Sequence, residues 1–168
     1  DVLGVEVNMT NNKILGLQVS TYIDKPEDVV SLTVQFANLV DGTGYRLELD
    51  YEAPLLRASV SGGHDTGLAV SREYWLRILD HARACGASQL LVLDGMQGEV
   101  MGDEDLQRFF DAIEGRVHAG LRMAYVEGRA DQIPRIEHAE LLARERGYTA
   151  RIFNNETDAL VWLRHGMR

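Results

Sequence analysis

The chain has 168 residues, of which 45% are hydrophobic and 26% are charged, and its formal net charge at pH 7 is −9. This length allows one domain with a substantial core, and this composition excludes a disordered, fibrous or disulfide-stapled protein. No apolar run approaches the roughly 18–20 residues needed to cross a bilayer, so we expect no membrane span. The excess of acidic side chains argues against nucleic acid as a partner, because nucleic-acid binders neutralise phosphates with Lys and Arg.

Cysteine content bears on the cellular compartment. The single cysteine, Cys85, cannot form an internal disulfide bond. The sequence also lacks the basic-then-apolar pattern of a secretory leader. The single cysteine fits a reducing cytoplasm, which is the compartment we expect.

Lysine and arginine are distributed unequally along the chain. Residues 1–44 contain both lysines, Lys13 and Lys25, and no arginine, whereas residues 45–168 contain all 15 arginines and no lysine. This asymmetry predicts a boundary near residue 44. It separates an N-terminal segment of unassigned origin, residues 1–44, which we expect to be β-rich, from a domain over residues 45–168. The alternative is a chance bias in a short segment.

The first segment contains two predicted strands. Residues 30–40 alternate apolar and polar side chains, as a half-buried strand does, and residues 14–23 are a second candidate. We expect residues 30–40 to form a hairpin with residues 45–51 through the turn at residues 41–44. A unit of this size is too small to be stable alone, so we expect it to pack on the domain or on another chain.

The second segment alternates predicted strands and helices. Strands are expected over residues 45–51, 55–61, 89–94, 121–127 and 149–153, and helices over residues 71–85, 104–116, 132–146 and after 155. Ser71 and Asn155 are the expected N-caps of the first and last helices, and Gly86 ends the first. This order predicts an α/β fold with a mostly parallel sheet of four to five strands, flanked by four helices.

Several short motifs of the second segment carry a family resemblance. They are a Tyr-Arg-Leu opening at residues 45–47, Leu-Arg-Ala-Ser-Val-Ser-Gly at 56–62, Ala-Cys-Gly-Ala at 84–87, Leu-Leu-Val-Leu-Asp at 90–94, Arg-Ile-Phe at 151–153 and Ala-Leu-Val-Trp-Leu at 159–163. On these residues, the whole of residues 45–168 resembles a STAS domain of the SpoIIAA-like, STAS/SEC14 type found in small bacterial proteins. These are core and cap patterns and include no catalytic signature.

The resemblance implies a regulatory, non-enzymatic module that binds a partner protein. In the antagonist branch of this family, a phosphorylatable Ser or Thr lies between the strand equivalent to residues 90–94 and the next helix, and its phosphate switches partner binding. The matching stretch here is residues 100–105, and no Ser or Thr lies between Gly95 and Arg116. The partner-binding residues that we expect are Gly102, Asp103, Glu104 and Asp105.

Two interpretations of these acidic residues remain open. Asp103 or Glu104 could act as a permanent negative charge in place of the missing phosphate. Alternatively, Asp103 caps the helix, and acidic residues in the first helical turn interact favourably with the helix dipole.

Four large aromatic side chains are candidates for lining an apolar cavity. The SEC14-like part of the resemblance implies a carrier or sensor of a small lipophilic ligand held between helices and sheet. The alternative is that these side chains are ordinary core residues. The candidates are Tyr74, Trp75, Tyr125 and Trp162.

Other chemistry has little support. The glycine-rich residues 62–67, together with Asp94, allow a weaker alternative, which is an enzyme that acts on a nucleotide. The glycines of residues 62–67 do not have the spacing of a phosphate-binding loop, and no lysine is near them. The five histidines show no zinc-binding spacing, so we expect no metal and no cofactor. The resemblance adds the expectation of a possible homodimer, because STAS-like domains often pair.

Overall fold

The computed structural model of the protein describes residues 2–10, 13–22 and 37–166. These residues form eight strands and four helices. In chain order they are β1 (Val2–Thr10), β2 (Lys13–Tyr22), β3 (Ala37–Gly42), β4 (Tyr45–Glu52), β5 (Leu55–Gly62), α1 (Leu68–Cys85), β6 (Gln89–Gly95), α2 (Asp103–Ile113), β7 (Arg122–Glu127), α3 (Ile133–Glu145), β8 (Thr149–Phe153) and α4 (Glu156–His165).

The strands β3 to β8 form one six-stranded sheet in which spatial order follows chain order. The pairs β3–β4 and β4–β5 are antiparallel, and the pairs β5–β6, β6–β7 and β7–β8 are parallel. Each parallel pair is connected through a helix, as parallel strands require. The predicted α/β class and the mostly parallel sheet are confirmed. The sheet has six strands instead of four to five, because β3 adds an edge strand.

The N-terminal segment supplies strands to two sheets. Strands β1 and β2 pair antiparallel as a separate two-stranded sheet, so the predicted strand over residues 14–23 is confirmed up to Tyr22, and Ile23 lies outside the described residues. Strand β1 was missed. Of the strand predicted over residues 30–40, residues 30–36 also lie outside the described residues.

The predicted hairpin across residues 41–44 is confirmed where the structure describes it. Strand β3 pairs with β4 from Ala37 opposite Asp50 to Gly42 opposite Tyr45. Gly44 takes a φ of 81°, a backbone conformation that favours glycine, so the turn residues suit the hairpin. Residues 37–42 therefore extend the sheet of the second segment, and the division of the chain near residue 44 stays a prediction.

Two apolar cores lie on opposite faces of the sheet. Helices α1, α2 and α3 pack on one face, against side chains such as Leu47, Leu90 and Val92. Helix α4 packs on the other face, against Leu91 and residues of β7. The uninterrupted apolar run of β6 follows from this arrangement, because alternate side chains of one strand enter both cores.

Of the three N-caps considered, Ser71 and Asp103 were wrong and Asn155 is confirmed. Helix α1 begins one turn before Ser71, with Gly67 at its N-cap, and Ser71 lies buried inside the helix, where its hydroxyl donates to the Thr66 carbonyl. The N-cap of α2 is Gly102, so Asp103 belongs to the first turn and does not cap. Asn155 caps α4 as predicted, with its side-chain oxygen accepting from the Asp158 amide. The predicted end of α1 at Gly86 is also confirmed.

Candidate functional site

The candidate site lies at the carboxyl ends of the parallel strands. In the register of the sheet, Val60 of β5 pairs with Asp94 of β6, and Asp94 pairs with Glu127 of β7. The segments that follow these strands therefore leave the sheet side by side. In open α/β sheets, the crevice beyond the carboxyl ends of the strands is the usual place for ligands and partners.

Asp94 is the acidic group at the centre of this edge. Its Oδ1 accepts a hydrogen bond of 2.8 Å from the Met96 amide, and its Oδ2 accepts from the Tyr125 hydroxyl. Burial raises the pKa of Asp94 above its ordinary value of 3.8, and the hydrogen bonds from Tyr125 and Met96 oppose that rise without cancelling it. The same burial, with the nearby Asp94 charge, raises the pKa values of Tyr74 and Tyr125, so both phenols keep their protons at neutral pH.

Glu127 is a buried carboxylate with a dedicated partner. Only 1% of the residue is exposed, and its Oε2 lies 3.0 Å from the guanidinium of Arg129. The Arg129 amide also donates to Glu127 over 2.7 Å. A buried charge persists only when it is paired and hydrogen-bonded, so this pair fixes the start of the segment after β7. The Nη1 of Arg129 donates to the Gln97 carbonyl over 3.1 Å, which connects that segment to the segment after β6.

The segment between β6 and α2, residues 96–102, is called the β6–α2 loop here. On one side it contacts the segment after β5. The Gln97 amide donates to the Gly63 carbonyl over 3.0 Å, and the Thr66 hydroxyl donates to the Glu99 carbonyl over 2.5 Å. At Gly98, a Cβ would overlap the His64 carbonyl and the Thr66 side chain, so only glycine allows this close approach.

On its other side the β6–α2 loop is held by residues after β7. The Val100 amide donates to the side-chain oxygen of Gln132 over 2.9 Å, and Gln132 itself is buried. Arg135 donates to the Val100 carbonyl over 3.2 Å and forms a 3.0 Å ion pair with Glu99. The loop is therefore hydrogen-bonded on both flanks.

The predicted partner-binding residues lie at the exposed end of this loop. Gly102 is the N-cap of α2, and the side chains of Asp103 and Glu104 are 88% and 81% exposed. Arg108 pairs with Glu104 over 2.5 Å and reaches Asp105 over 3.5 Å. The four residues are thus contiguous on the surface, where the β6–α2 loop ends and α2 begins.

The structure brings together three of the four predicted aromatic residues. Tyr74, Trp75 and Tyr125 line one cavity of about 120 Å³ between the sheet and helices α1 to α3. Trp162 is not among its lining residues. Trp162 lies on the opposite face of the sheet, where it packs against Phe153 and belongs to the core under α4. The expectation that Trp162 shares the cavity was wrong, because its helix covers the other face.

The glycine-rich residues 62–67 do not form an open anion site. The carboxylate of Asp65 accepts the Gly67 amide over 3.1 Å at the start of α1, so a negative charge already occupies that helix N-terminus. A phosphate placed there would meet a carboxylate. Residues 63 and 66 instead hold the β6–α2 loop, which is a structural role.

Sequence reasoning missed the residues that hold the loop. Glu127 ends one predicted strand, Arg129, Gln132 and Arg135 follow it, and the spacing of these residues matches no known motif. A polar run directly after a buried strand was the available signal, because the carboxyl ends of neighbouring parallel strands meet at one edge. The contacts with residues of the β6–α2 loop, more than 30 positions earlier, were not foreseeable from local pattern.

The described residues contain neither a metal-binding cluster nor a membrane-spanning helix. Across residues 2–10, 13–22 and 37–166, no group of three or more His, Cys, Asp and Glu side chains is placed to hold a metal ion. No helix in those ranges has the length and apolar character to cross a membrane.

Comparisons with known proteins support the fold. No protein-family model matches the chain. No curated protein matches it. The solved structures that resemble it include the crystal structure of an anti-sigma factor antagonist from Mycobacterium paratuberculosis, with 17% identity, a TM-score of 0.50, and coverage of 71% of this chain and 94% of that chain. At this identity the likeness shows the fold alone, and it confirms the expected STAS-like, SpoIIAA-like architecture.

The Tyr125→Phe substitution tests the account of Asp94. Loss of the hydroxyl removes a hydrogen bond that favours the carboxylate, so the pKa of Asp94, already above 3.8, rises further. A folded-state pKa above the unfolded value means stability that is lost as pH rises through the folded pKa, so the variant loses more stability at neutral than at acidic pH. Carboxyl-carbon NMR titration measures the midpoint, with Tyr51→Phe as the control. An unchanged midpoint would contradict the assignment.

The Gln132→Ala substitution tests whether the β6–α2 loop is held from outside. The variant removes the side-chain acceptor of the Val100 amide. Loss of a hydrogen bond worth about 1 kcal/mol should make the Val100 amide proton exchange roughly fivefold faster in the variant than in the wild-type chain, as measured by NMR. Gln97→Ala, which changes an exposed side chain of the same loop, should leave Val100 exchange unchanged. Equal exchange in Gln132→Ala and wild type would show that Gln132 does not hold the loop.

Proposed function

We propose that the protein is a non-catalytic regulatory module of the cytoplasm that binds a partner protein through the end of the β6–α2 loop and the first turn of α2. The observation that carries this proposal is the combination of an externally held loop and an exposed acidic end at Gly102 to Asp105. Rigid surfaces bind with a smaller loss of conformational entropy than mobile ones. The anti-sigma-antagonist fold supports the proposal as an analogy.

The charge of this surface suggests the chemistry of the partner. Glu99, Asp103, Glu104 and Asp105 contribute four carboxylates, and Arg108 and Arg135 contribute two guanidinium groups that pair with some of them. The local balance is negative, like that of the chain as a whole. A partner surface with Lys or Arg would complement it, and complementary charge speeds encounter and fixes orientation.

The negative charge at this position would be permanent. A phosphorylated Ser or Thr adds charge on demand, whereas the sequence between Gly95 and Arg116 has no hydroxyl side chain of that kind. The acidic side chains of Asp103 and Glu104 are part of the sequence and need no modification. Partner binding would therefore not be switched by phosphorylation at this loop, and control would come from elsewhere.

A second candidate function is carriage of a small lipophilic ligand, and the aromatic cavity favours it. At about 120 Å³ the cavity is smaller than the roughly 300–1,000 Å³ of pockets that enclose drug-sized ligands, so a long acyl chain would not fit. Partner binding is therefore the leading function. The nucleotide-binding alternative is weaker still, because Asp65 occupies the helix terminus that a phosphate would use.

The double substitution Asp103→Arg with Glu104→Arg tests the proposed surface. A partner captured from host lysate with the wild-type chain is first purified, and its affinity is then measured by calorimetry. The reversed charges should weaken binding about tenfold or more, equivalent to ~1.4 kcal/mol. Circular dichroism checks folding, because Arg in a first helical turn is unfavourable to the helix dipole.

A matched control makes the same charge change elsewhere. Glu48 and Glu52 are exposed on β4, so Glu48→Arg with Glu52→Arg alters net charge equally without touching α2. This control should bind the partner with nearly wild-type affinity. Equal weakening in both double variants would indicate a general charge effect, and unchanged binding in the α2 variant would exclude this surface.

A further inference from the structure

The cavity between the sheet and helices α1 to α3 has an aromatic wall. Trp75 stacks on Tyr125 with ring centroids 6.1 Å apart and planes 17° apart. Trp75 also meets Phe109 edge-on at 6.0 Å, and Phe109 meets Phe110 at 5.3 Å. Such a series of flat faces and edges suits a planar ring as ligand.

The size of the cavity limits its occupant to about one ring. Its volume is about 120 Å³. For comparison, an engineered apolar cavity of about 150 Å³ holds benzene. The part of an occupant that the cavity encloses is therefore a single ring or a comparably compact body.

The acceptor nearest the aromatic wall of the cavity is Asp94, and the guanidinium of Arg129, which also lines the cavity, is paired with Glu127 and the Gln97 carbonyl. The Tyr125 hydroxyl donates to Asp94, the Tyr74 hydroxyl lies 3.5 Å from Ser71 Oγ, and the Ser71 hydroxyl donates to the Thr66 carbonyl. These hydroxyl protons already have acceptors within the protein. Asp94 accepts one hydrogen bond on each oxygen, and a carboxylate has about four acceptor positions, so it has room for another donor.

We infer that this cavity binds a one-ring apolar molecule that carries a single hydrogen-bond donor, with the ring against Trp75 and Tyr125 and the donor on Asp94. Anionic ring compounds are disfavoured, because three carboxylates (Asp94, Glu99 and Glu140) line the cavity against two guanidinium groups (Arg129 and Arg151), and Asp94 is the one beside the ring. Purely apolar rings would also fit, but they would make no hydrogen bond to the Asp94 carboxylate.

Occupancy of the cavity would also act on the β6–α2 loop. Gly98, Val100 and Met101 of this loop line the cavity, and the next residue, Gly102, begins the proposed partner surface. A ligand that contacts Val100 and Met101 therefore contacts the segment that positions Asp103 and Glu104. The inference that the ligand regulates partner binding rests on the proposed function, whereas the inference that the cavity binds a ligand does not. Regulation by the ligand would replace regulation by phosphorylation, for which the loop has no site.

Binding is tested with three probes of equal ring size: phenol, toluene and benzoate. A cavity without an acceptor binds toluene more tightly than phenol, because the phenol hydroxyl loses its hydration on entry and gains no hydrogen bond. An available carboxylate acceptor should reverse that order, and a hydrogen bond to a charged group corresponds to roughly tenfold tighter binding of phenol. Benzoate should not bind. Ligand-observed and protein-observed NMR measure all three. Preference for toluene, binding of benzoate, or no binding of phenol would each overturn the inference.

A cavity-filling variant locates the site. Ala139 of α3 lines the cavity, so Ala139→Leu should abolish phenol binding, whereas Ala84→Leu on the exposed side of α1 should leave it unchanged. Thermal melts confirm that both variants fold. If Ala139→Leu fails to fold, the amide shifts that phenol induces in the wild-type chain replace it as the test. Shifts at Tyr74, Trp75 and Tyr125 support the site, and shifts confined to other residues overturn it.

The same titration tests the coupling separately from partner binding. Phenol should shift the amides of Val100 and Met101, and then those of Asp103 and Glu104, with one shared affinity. Shifts at the cavity without shifts at Asp103 and Glu104 would overturn the regulatory part alone. None of these readouts uses the partner, so failure of the proposed function would appear only in the charge-reversal experiment.

Discussion

The parallel pairing of β5, β6 and β7 is the constraint on which the candidate site depends. It places Val60, Asp94 and Glu127 at one level of the sheet, so the three following segments leave side by side. Hydrogen bonds from Thr66 on one flank and from Gln132 on the other then hold the β6–α2 loop. Without this register, the acidic end of the loop would be a mobile connection with no fixed geometry to present.

Sequence pattern predicted most of the fold because burial determines it. The apolar run of residues 89–94 and the glycine at position 86 correspond directly to a doubly covered strand and a left-handed helix end. The sequence pattern failed for features that are determined by tertiary contacts. Trp162 was grouped with Tyr125 because both are large aromatic residues, but periodicity within a helix does not say which face of the sheet that helix covers. The hydrogen bond from the Val100 amide to Gln132 joins residues 32 positions apart, and the local sequence around either residue does not predict this contact.

The site combines two features that differ in chemistry and share one segment. The exposed acids at the start of α2 suit a basic protein surface, and the aromatic cavity with Asp94 suits a compact ring with a donor. Residues 98–101 contribute to both, since they line the cavity and lead into α2. A loop that lacks a phosphorylatable hydroxyl can still be regulated if the interior that supports it accepts a ligand. In this account, control acts from the core side of the loop.

Hydrogen–deuterium exchange of the chain alone and in complex with its captured partner tests the central claim most directly, because it maps the contact without mutation. The account predicts slower exchange in the complex at residues 96–108, covering the β6–α2 loop and the first turns of α2, with little change in α4. Unchanged exchange over residues 96–108, with protection instead on α4 or on the β1–β2 hairpin, would contradict the account and place the partner on another surface.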